Sequence, residues 1–468
     1  MVSKIISFRD LKLNNGGSLY GDIKFIVGLG AQVMMPIIIC IFGLILGTKL
    51  GKSLRAGLTV GVGFIGLNTI IALLTDNLGP ATQQMVKNLG LSLSIIDVGW
   101  PAASAIAFAS TVGALIIPIG LVVNIVMLIT NTTQTVDVDI WDYWHFAFTG
   151  ALVAGATQSV MWGVFAAVAN MVIVLVMADL TAPGIEEYLG MPGISLPHGF
   201  TQAFVPIAIV VNKLLDLIPG INKIEINADT LQKKFGLFGE PLIMGSVIGV
   251  IIGIAAKYDI KGILQLGVTM GAVLILIPKM AALLMEGLLP VSEAAQEFIE
   301  KRFKNRGKIY IGLDSAVGIG HPVTLSVALV LVPLTILIAA ILPGNKVLPF
   351  ADLAVIPFAL VLIVPITKGN VFRTLIIGII IITSGLLIAT NLAPLFTQMA
   401  LNASFKMPEG ATMISSICDG ANPLSWVFVK VMNYKVIGGV VFGVIALGMA
   451  IYNRNRIINE NKKLSIEE

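Results

Sequence analysis

Two stretches of the chain are copies of one another. Residues 54–80 (LRAGLTVGVGFIGLNTIIALLTDNLGP) and 264–290 (LQLGVTMGAVLILIPKMAALLMEGLLP) align without a gap at an offset of 210. Ten positions are identical, among them Gly57/Gly267, Thr59/Thr269, Gly61/Gly271 and Pro80/Pro290, and Asp76 faces Glu286. Apolar bias explains the matched leucines. It does not explain the Gly-x-Thr-x-Gly register or the closing acid and proline. A chain that carries such a duplication folds as two related halves. Inside an apolar chain, duplicated halves are the signature of alternating access.

The chain is apolar: 56% hydrophobic, 12% charged, mean hydropathy +0.94. A soluble domain is about a quarter charged. The expectation is therefore an all-α polytopic membrane protein. Eleven apolar spans are expected, at roughly 26–48, 56–75, 103–130, 145–178, 200–218, 240–256, 262–289, 322–342, 349–366, 372–396 and 434–452. The fourth exceeds the ~20 residues a bilayer needs, so a break is expected near Gly150 and Gly155. About five spans fall in each half. An odd number inserts the second copy upside down, so the repeats are expected to be inverted. The expected divisions are 1–25 (an interfacial segment without the apolar core of a cleavable signal), 26–218 (first repeat), 219–433 (second repeat) and 434–468 (last span and basic tail).

Charge placement orients the spans. With the C-terminus in the cytoplasm, the inner loops collect Lys49, Lys52, Arg55, Lys301, Arg302, Lys304, Arg306, Lys308, Lys368 and Arg373, and the tail adds Arg454 and Arg456. On this reading 180–198, which has no Lys or Arg, lies outside, and the acidic stretch with Asp137, Asp139 and Asp142 is an inner loop.

Polar islands interrupt the apolar sequence. They are DVGWPAAS (97–104), VDIWDYWHFAFTG (138–150), SLPHGFTQ (195–202), FGEPLIMG (238–245), GLDSAVGIGHP (312–322) and CDGANPLSW (418–426). Gly and Pro beside charge at span ends fit broken helices whose free backbone groups line a polar cavity. Each island alone is equally ordinary loop or N-cap chemistry. Their recurrence in both halves favours one site at the repeat interface. Gly47–Ser53 mimics a P-loop, but Leu46 stands where the first glycine belongs, so no nucleotide is expected. Pro278-Lys279 suggests a helix break. The histidines lack metal-ligand spacing, and neither a metal nor a cofactor is expected.

These islands, with QKKFGLFGEP, YDIKGILQL and PGNKVLPFADLA, resemble the sugar-transporting IIC component of the bacterial phosphotransferase system, galactitol family, over nearly the whole chain. The resemblance implies a homodimer in the bacterial plasma membrane. Each protomer would have a V-shaped dimerising domain (spans one, two, six and seven) and a core transport domain. It implies import of a sugar alcohol, with galactitol the first candidate, for phosphorylation by a phosphocysteine on a separate IIB protein charged by IIA. The chain would be a permease subunit, and no nucleic acid would be involved. A polyol offers hydroxyls and no charge, so its site needs donors and acceptors to match. Suitable residues are His145, Thr149, His198, His321, Asp97, Asp419 and Asn422. Asp314 is first choice as the base and a histidine second. Glu240 is a gating candidate. Two alternatives stay open: an ion-coupled secondary transporter of a small polar solute, and a stand-alone membrane enzyme.

Overall fold

The computed structural model describes residues 31–45, 47–88, 93–137, 139–219, 224, 241–302, 308–349, 351–403, 405, 407 and 412–467. Glu240, Lys304, Arg306 and the interfacial segment expected over 1–25 lie outside them. The described chain is mostly helical. Four of its helices are long and apolar enough to cross a membrane by length and composition: Val160–Leu189, Pro322–Ile341, Val371–Asn402 and Val436–Lys462.

In chain order the first elements are α1 (Ala31–Ile45), α2 (Leu50–Asn88), β1 (Ile95–Asp97), α3 (Gly99–Ala109), α4 (Thr111–Ile129), β2 (Thr135–Asp137), α5 (Tyr143–Thr157), α6 (Val160–Leu189), β3 (Ile194–Ser195), α7 (Gly199–Ala203) and α8 (Val205–Asp216). The second series is α9 (Pro241–Ala255), α10 (Ile260–Arg302), β4 (Tyr310–Gly312), α11 (Pro322–Ile341), β5 (Val347–Leu348), α12 (Ile356–Leu360), α13 (Ile363–Ile366), α14 (Val371–Asn402), β6 (Met413–Ser415), α15 (Pro423–Met432) and α16 (Val436–Glu467). Short 3-10 turns at Ile140–Asp142, Ser315–Gly318, Ala351–Val355 and Asp419–Ala421 join strands to helices.

The two series share a spacing. α1 and α9 start 210 residues apart, as do α2 and α10; α4 and α11, and α6 and α14, start 211 apart. Caps follow the same spacing. Ser110 and His321 cap α4 and α11, and Ser159 and Asn370 cap α6 and α14. The strands form two three-stranded parallel sheets, ordered β5-β1-β6 and β2-β4-β3. Exchanging β1 with β4, β2 with β5 and β3 with β6 turns one order into the other. Each sheet thus borrows strands from both series, which supplies hydrogen-bond partners to extended backbone inside an apolar body.

α1, α2, α9 and α10 pack mainly on one another. α2 and α10, of 39 and 43 residues, are each about 60 Å long. The break expected at Pro278-Lys279 is absent, because α10 runs through it.

The fourth expected span is corrected. Residues 145–178 are not one crossing broken at Gly150 and Gly155. They are a hairpin that turns at Gln158, whose φ of 54° closes α5, with Ser159 capping α6. The glycines serve packing instead. A Cβ on Gly150 would sit 2.6 Å from the Gly163 carbonyl, and one on Gly163 would sit 2.6 Å from the Gly150 carbonyl. The third expected span is likewise two helices, divided at Ser110.

This hairpin changes the sidedness. Lys308 pairs with Glu186, β3 pairs with β4, and Gly184 lies against Pro365. Gln134 donates to the Lys308 carbonyl and accepts from Arg456, and Asn453 donates to Thr132 O and Asp179. Hence 130–134, 179–189, 308–310, 365–373 and 453–456 lie at one end of the molecule. The segment 180–198 shares that end with Lys308 and the tail, against expectation, because 145–178 contributes two passes rather than one. Ser110, the Gln158 turn and the α14 C-terminus gather at the opposite end around a cavity of about 390 Å³. The start of α16 is there too, with Gly439 on Trp162. The expected acidic inner loop is also corrected: Asp137, Asp139 and Asp142 are buried.

Candidate functional site

Parallel strands deliver their C-terminal ends to one place. In the β2-β4-β3 sheet, β2 leads to Asp139 and Asp142, β4 to Asp314 and β3 to His198. His145 stands in the first turn of α5. From there it reaches Asp419, which follows β6 in the other sheet. Polar residues from both series meet at this point, where short helices begin.

The hydrogen bonds assign the protons. His198 caps α7, and its Nδ1 accepts the Thr201 N–H at 3.3 Å. Its proton therefore sits on Nε2. That nitrogen is 3.0 Å from His145 Nε2, which must accept. His145 then carries its proton on Nδ1 and donates to Asp419 Oδ2 at 2.5 Å. Asp419 Oδ1 accepts from Asn422 Nδ2 at 3.0 Å. Asn422 also donates to Gly199 O and caps α15 by accepting from Leu424 and Ser425 N–H. Around the chain, Thr149 is bonded to Ser425 and accepts from Asn170, and Thr201 is bonded to Ser315. From the Thr201 N–H through His198 and His145 to Asp419 and Asn422 every link has a donor and an acceptor, so that chain is directional.

Asp314 lies at its edge. Its carboxylate accepts the Ala316 N–H at 2.7 Å and lies 3.7 Å from His198 Nε2, too far for a direct bond. Its side chain is 14% exposed, whereas the His145, Asp419 and His198 side chains are 5% exposed or less. Behind it stand acids that the sequence reading counts as loop charges. One oxygen each of Asp139, Asp142 and Asp314 lie within 4.8 Å of one another. Two unit charges at that separation repel by roughly 3 kcal/mol at an effective dielectric of 20. Asp139 accepts the Trp141 N–H. Both oxygens of Asp142, and both of Asp137, are buried with no hydrogen-bond partner. By distance alone a cation fits Asp139–Asp142–Asp314 or Asp142–His145–His198. In the second grouping the proton pattern leaves neither histidine a free lone pair.

Six of the expected residues, His145, Thr149, His198, Asp314, Asp419 and Asn422, share one neighbourhood. Two do not join them. Asp97 ends β1 in the other sheet, where its oxygens accept from Gly99, Asp352 and Ile417 N–H. Beside it Asp352, fully buried, accepts from Trp100 N–H, Ser416 Oγ and Cys418 N–H. This pair ties the strand ends together. His321 is half-buried, and its Nδ1 accepts from Val323 N–H as the cap of α11, the place Ser110 takes in the first series. Of the tryptophans, Trp144 is buried against His145 with ring centroids 4.1 Å apart. Trp426 bonds Asn391, and Trp100 packs edge-on against Trp141. Sequence reasoning missed Asp139, Asp142, Asp352 and Thr201. For the acids the signal existed: each sits in apolar sequence, as in VDIWDYW and PFADLAVIPF.

Residues 25–410 match the family model described as "PTS system sugar-specific permease component". The chain is 43% identical over 425 residues to proteins named "PTS system galactitol-specific EIIC component" from Escherichia coli strain K12 and Escherichia coli O157:H7, covering 91% of this chain and 94% of theirs. It is 40% identical over 436 residues to a "Putative permease IIC component" of strain K12, covering 93% and 99%. With nearly full coverage in both directions, the chain belongs to the sugar-specific permease (IIC) components of the phosphotransferase system.

Proposed function

We propose that the protein imports galactitol and presents it, within the membrane, to the phosphocysteine of a IIB partner that IIA recharges. The observation that carries this reading is the site's chemistry: directional donors and acceptors, beside one partly exposed carboxylate, on a chain 43% identical to galactitol-specific relatives. Such a site suits an uncharged polyol. A substrate lacking one hydroxyl leaves a buried polar group unpaired.

Asp314 is the base in this reading. His198 is a poor one, because Nδ1 is occupied by its cap and Nε2 already holds a proton. In transfer, the polyol oxygen forms its bond to phosphorus, the sulfur–phosphorus bond breaks, the thiolate leaves on IIB, and the hydroxyl proton passes to Asp314. Because the product is charged, it does not return across the apolar body. His145, His198, Thr149, Asn422 and Asp419 orient the hydroxyls; Glu240 retains its gating role as a proposal.

The matching element spacings and the exchange of strands between sheets support inverted repeats. The mutual packing of α1, α2, α9 and α10 supports the dimerising domain of a homodimer. Lys308, Lys368, Arg373, Arg454 and Arg456 share one end with the tail, which supports a cytoplasmic C-terminus. The test is vesicle uptake with and without IIA and IIB. Galactitol phosphate should appear inside only when both partners and a phosphoryl donor are present. Accumulation of free sugar driven by an ion gradient supports the secondary-transporter alternative instead.

A further inference from the structure

Asp142 is fully buried, and no N–H or O–H donor reaches either of its oxygens. An ionised, unpaired carboxylate in that position is costly. The groups facing it are Asp137 at the end of β2, Asp139 before the 3-10 turn, Tyr143 and His145 on α5, His198 ahead of α7, and Asp314 after β4. None offers it a proton. The His145 Nδ1–H points to Asp419, and the His198 Nε2–H points to His145. Asp137 is itself without a partner, and so is the buried Tyr143 hydroxyl. Asp139 has its own backbone donor. Asp314 alone reaches solvent, its oxygen lies within 4.8 Å of Asp142, and the two carboxyls stand as a side-chain hydrogen-bonding pair once one of them carries a proton.

We propose that Asp142 is a positioning residue that carries a proton and donates it in a hydrogen bond to Asp314. The two acids then hold one proton and one charge between them. Asp142 stays neutral where no partner would stabilise its charge. Asp314 stays ionised and aimed as the acceptor of the polyol's hydroxyl proton. The proton on Asp142 is not consumed: the hydroxyl proton arrives at Asp314 and leaves from there to water. This proposal rests on the assignment of Asp314 as base. It predicts a definite pH response. Activity is present while Asp142 holds its proton and falls as rising pH removes it, because two adjacent charges displace each other.

The experiment is single-turnover transfer from pre-phosphorylated IIB to galactitol across pH, for wild type, Asp142→Asn, Asp142→Ala and Asp314→Asn. It is paired with infrared difference spectra of the protonated-carboxyl stretch, which need no turnover. Elution as a monodisperse species checks folding. The amide that Asp142→Asn introduces donates as the protonated acid does and has no proton to lose. Asp142→Asn should therefore stay within about tenfold of wild type near neutrality and lose the alkaline fall, and the protonated-carboxyl band should lose the component that Asp142 contributes beside the equally unpartnered Asp137. Asp142→Ala should lie at least about tenfold below Asp142→Asn, as for loss of a positioned proton-transfer partner. If Asp142→Ala does not fold, Asp142→Asn and the infrared band decide alone. The proposal is overturned if Asp142→Asn is as inactive as Asp314→Asn at every pH. It is also overturned if Asp142→Asn keeps the wild-type alkaline fall, if the band loses no component, or if a divalent cation bound at these acids accounts for the pH response. An active Asp314→Asn variant removes the base assignment instead, while the band still reports on Asp142.

Discussion

The Thr201 backbone N–H determines what His198 can do. By occupying Nδ1 it leaves that imidazole one acceptor already filled and one proton to give, so its contribution is orientation and donation. In the proposed mechanism Asp314, closer to solvent, is the proton acceptor. Asp314→Asn keeps the Ala316 cap and the shape but removes basicity. A loss on the order of 10²-fold or more in galactitol phosphorylation is expected, with unchanged elution and melting. Activity within a few-fold of wild type would reduce Asp314 to a cap. Asp352→Ala should behave the opposite way. It strands the Trp100 N–H and the Ser416 hydroxyl, at about 1–3 kcal/mol per unmet group, and leaves the Cys418 N–H with Ser416 Oγ alone. Thermal unfolding in detergent should drop well below wild type. Asp352 carries the signal of an acid in apolar sequence, but its role of joining strand ends is not legible, because an acid in PFADLA resembles an ordinary cap. His145, His198 and Asp314 are legible because ionisable groups inside apolar sequence usually face a pathway. Their order along the proton chain is not legible, since it depends on which atoms meet across 274 residues.

At the scale of elements, the α5–α6 hairpin shows where periodicity stops informing. A predominantly apolar stretch of 34 residues, 145–178, announces that something has to bend, and the glycines look like the place. They are instead the contact that lets two helices approach, and the bend falls on Gln158 in the left-handed region. Gly163→Val pushes a branched side chain into the Gly150 carbonyl. The expected cost is about 1–3 kcal/mol from overpacking, read as a lower melting temperature. Gln158→Gly relieves the positive φ and should be neutral or slightly stabilising, by up to about 1 kcal/mol. A Gly163→Val variant that melts like wild type would mean the two helices are not held at this distance. The six short strands are invisible in sequence. Two or three residues carry no period, and each pairs with a segment from the other half.

At the scale of the molecule, the duplication at 54–80 and 264–290 is matched by the 210–211-residue spacing of the elements, while the single crossing expected at 145–178 is a hairpin. One misread hairpin reverses the side of 180–198. Cysteines placed at Glu187 and Lys308 should therefore label from the same face, and one at Lys435 from the opposite face. Glu187 and Lys308 labelling from opposite faces would break the packing of β3 on β4. The direct measurement of function is phosphorylation of a panel of polyols in membranes carrying the protein, with purified IIA and IIB of its own system. Galactitol phosphate should form at the highest rate, only with phosphorylated IIB, and Asp314→Asn should abolish it. Formation without IIB, or ion-driven uptake of unmodified galactitol at the wild-type rate in the Asp314→Asn variant, would contradict it.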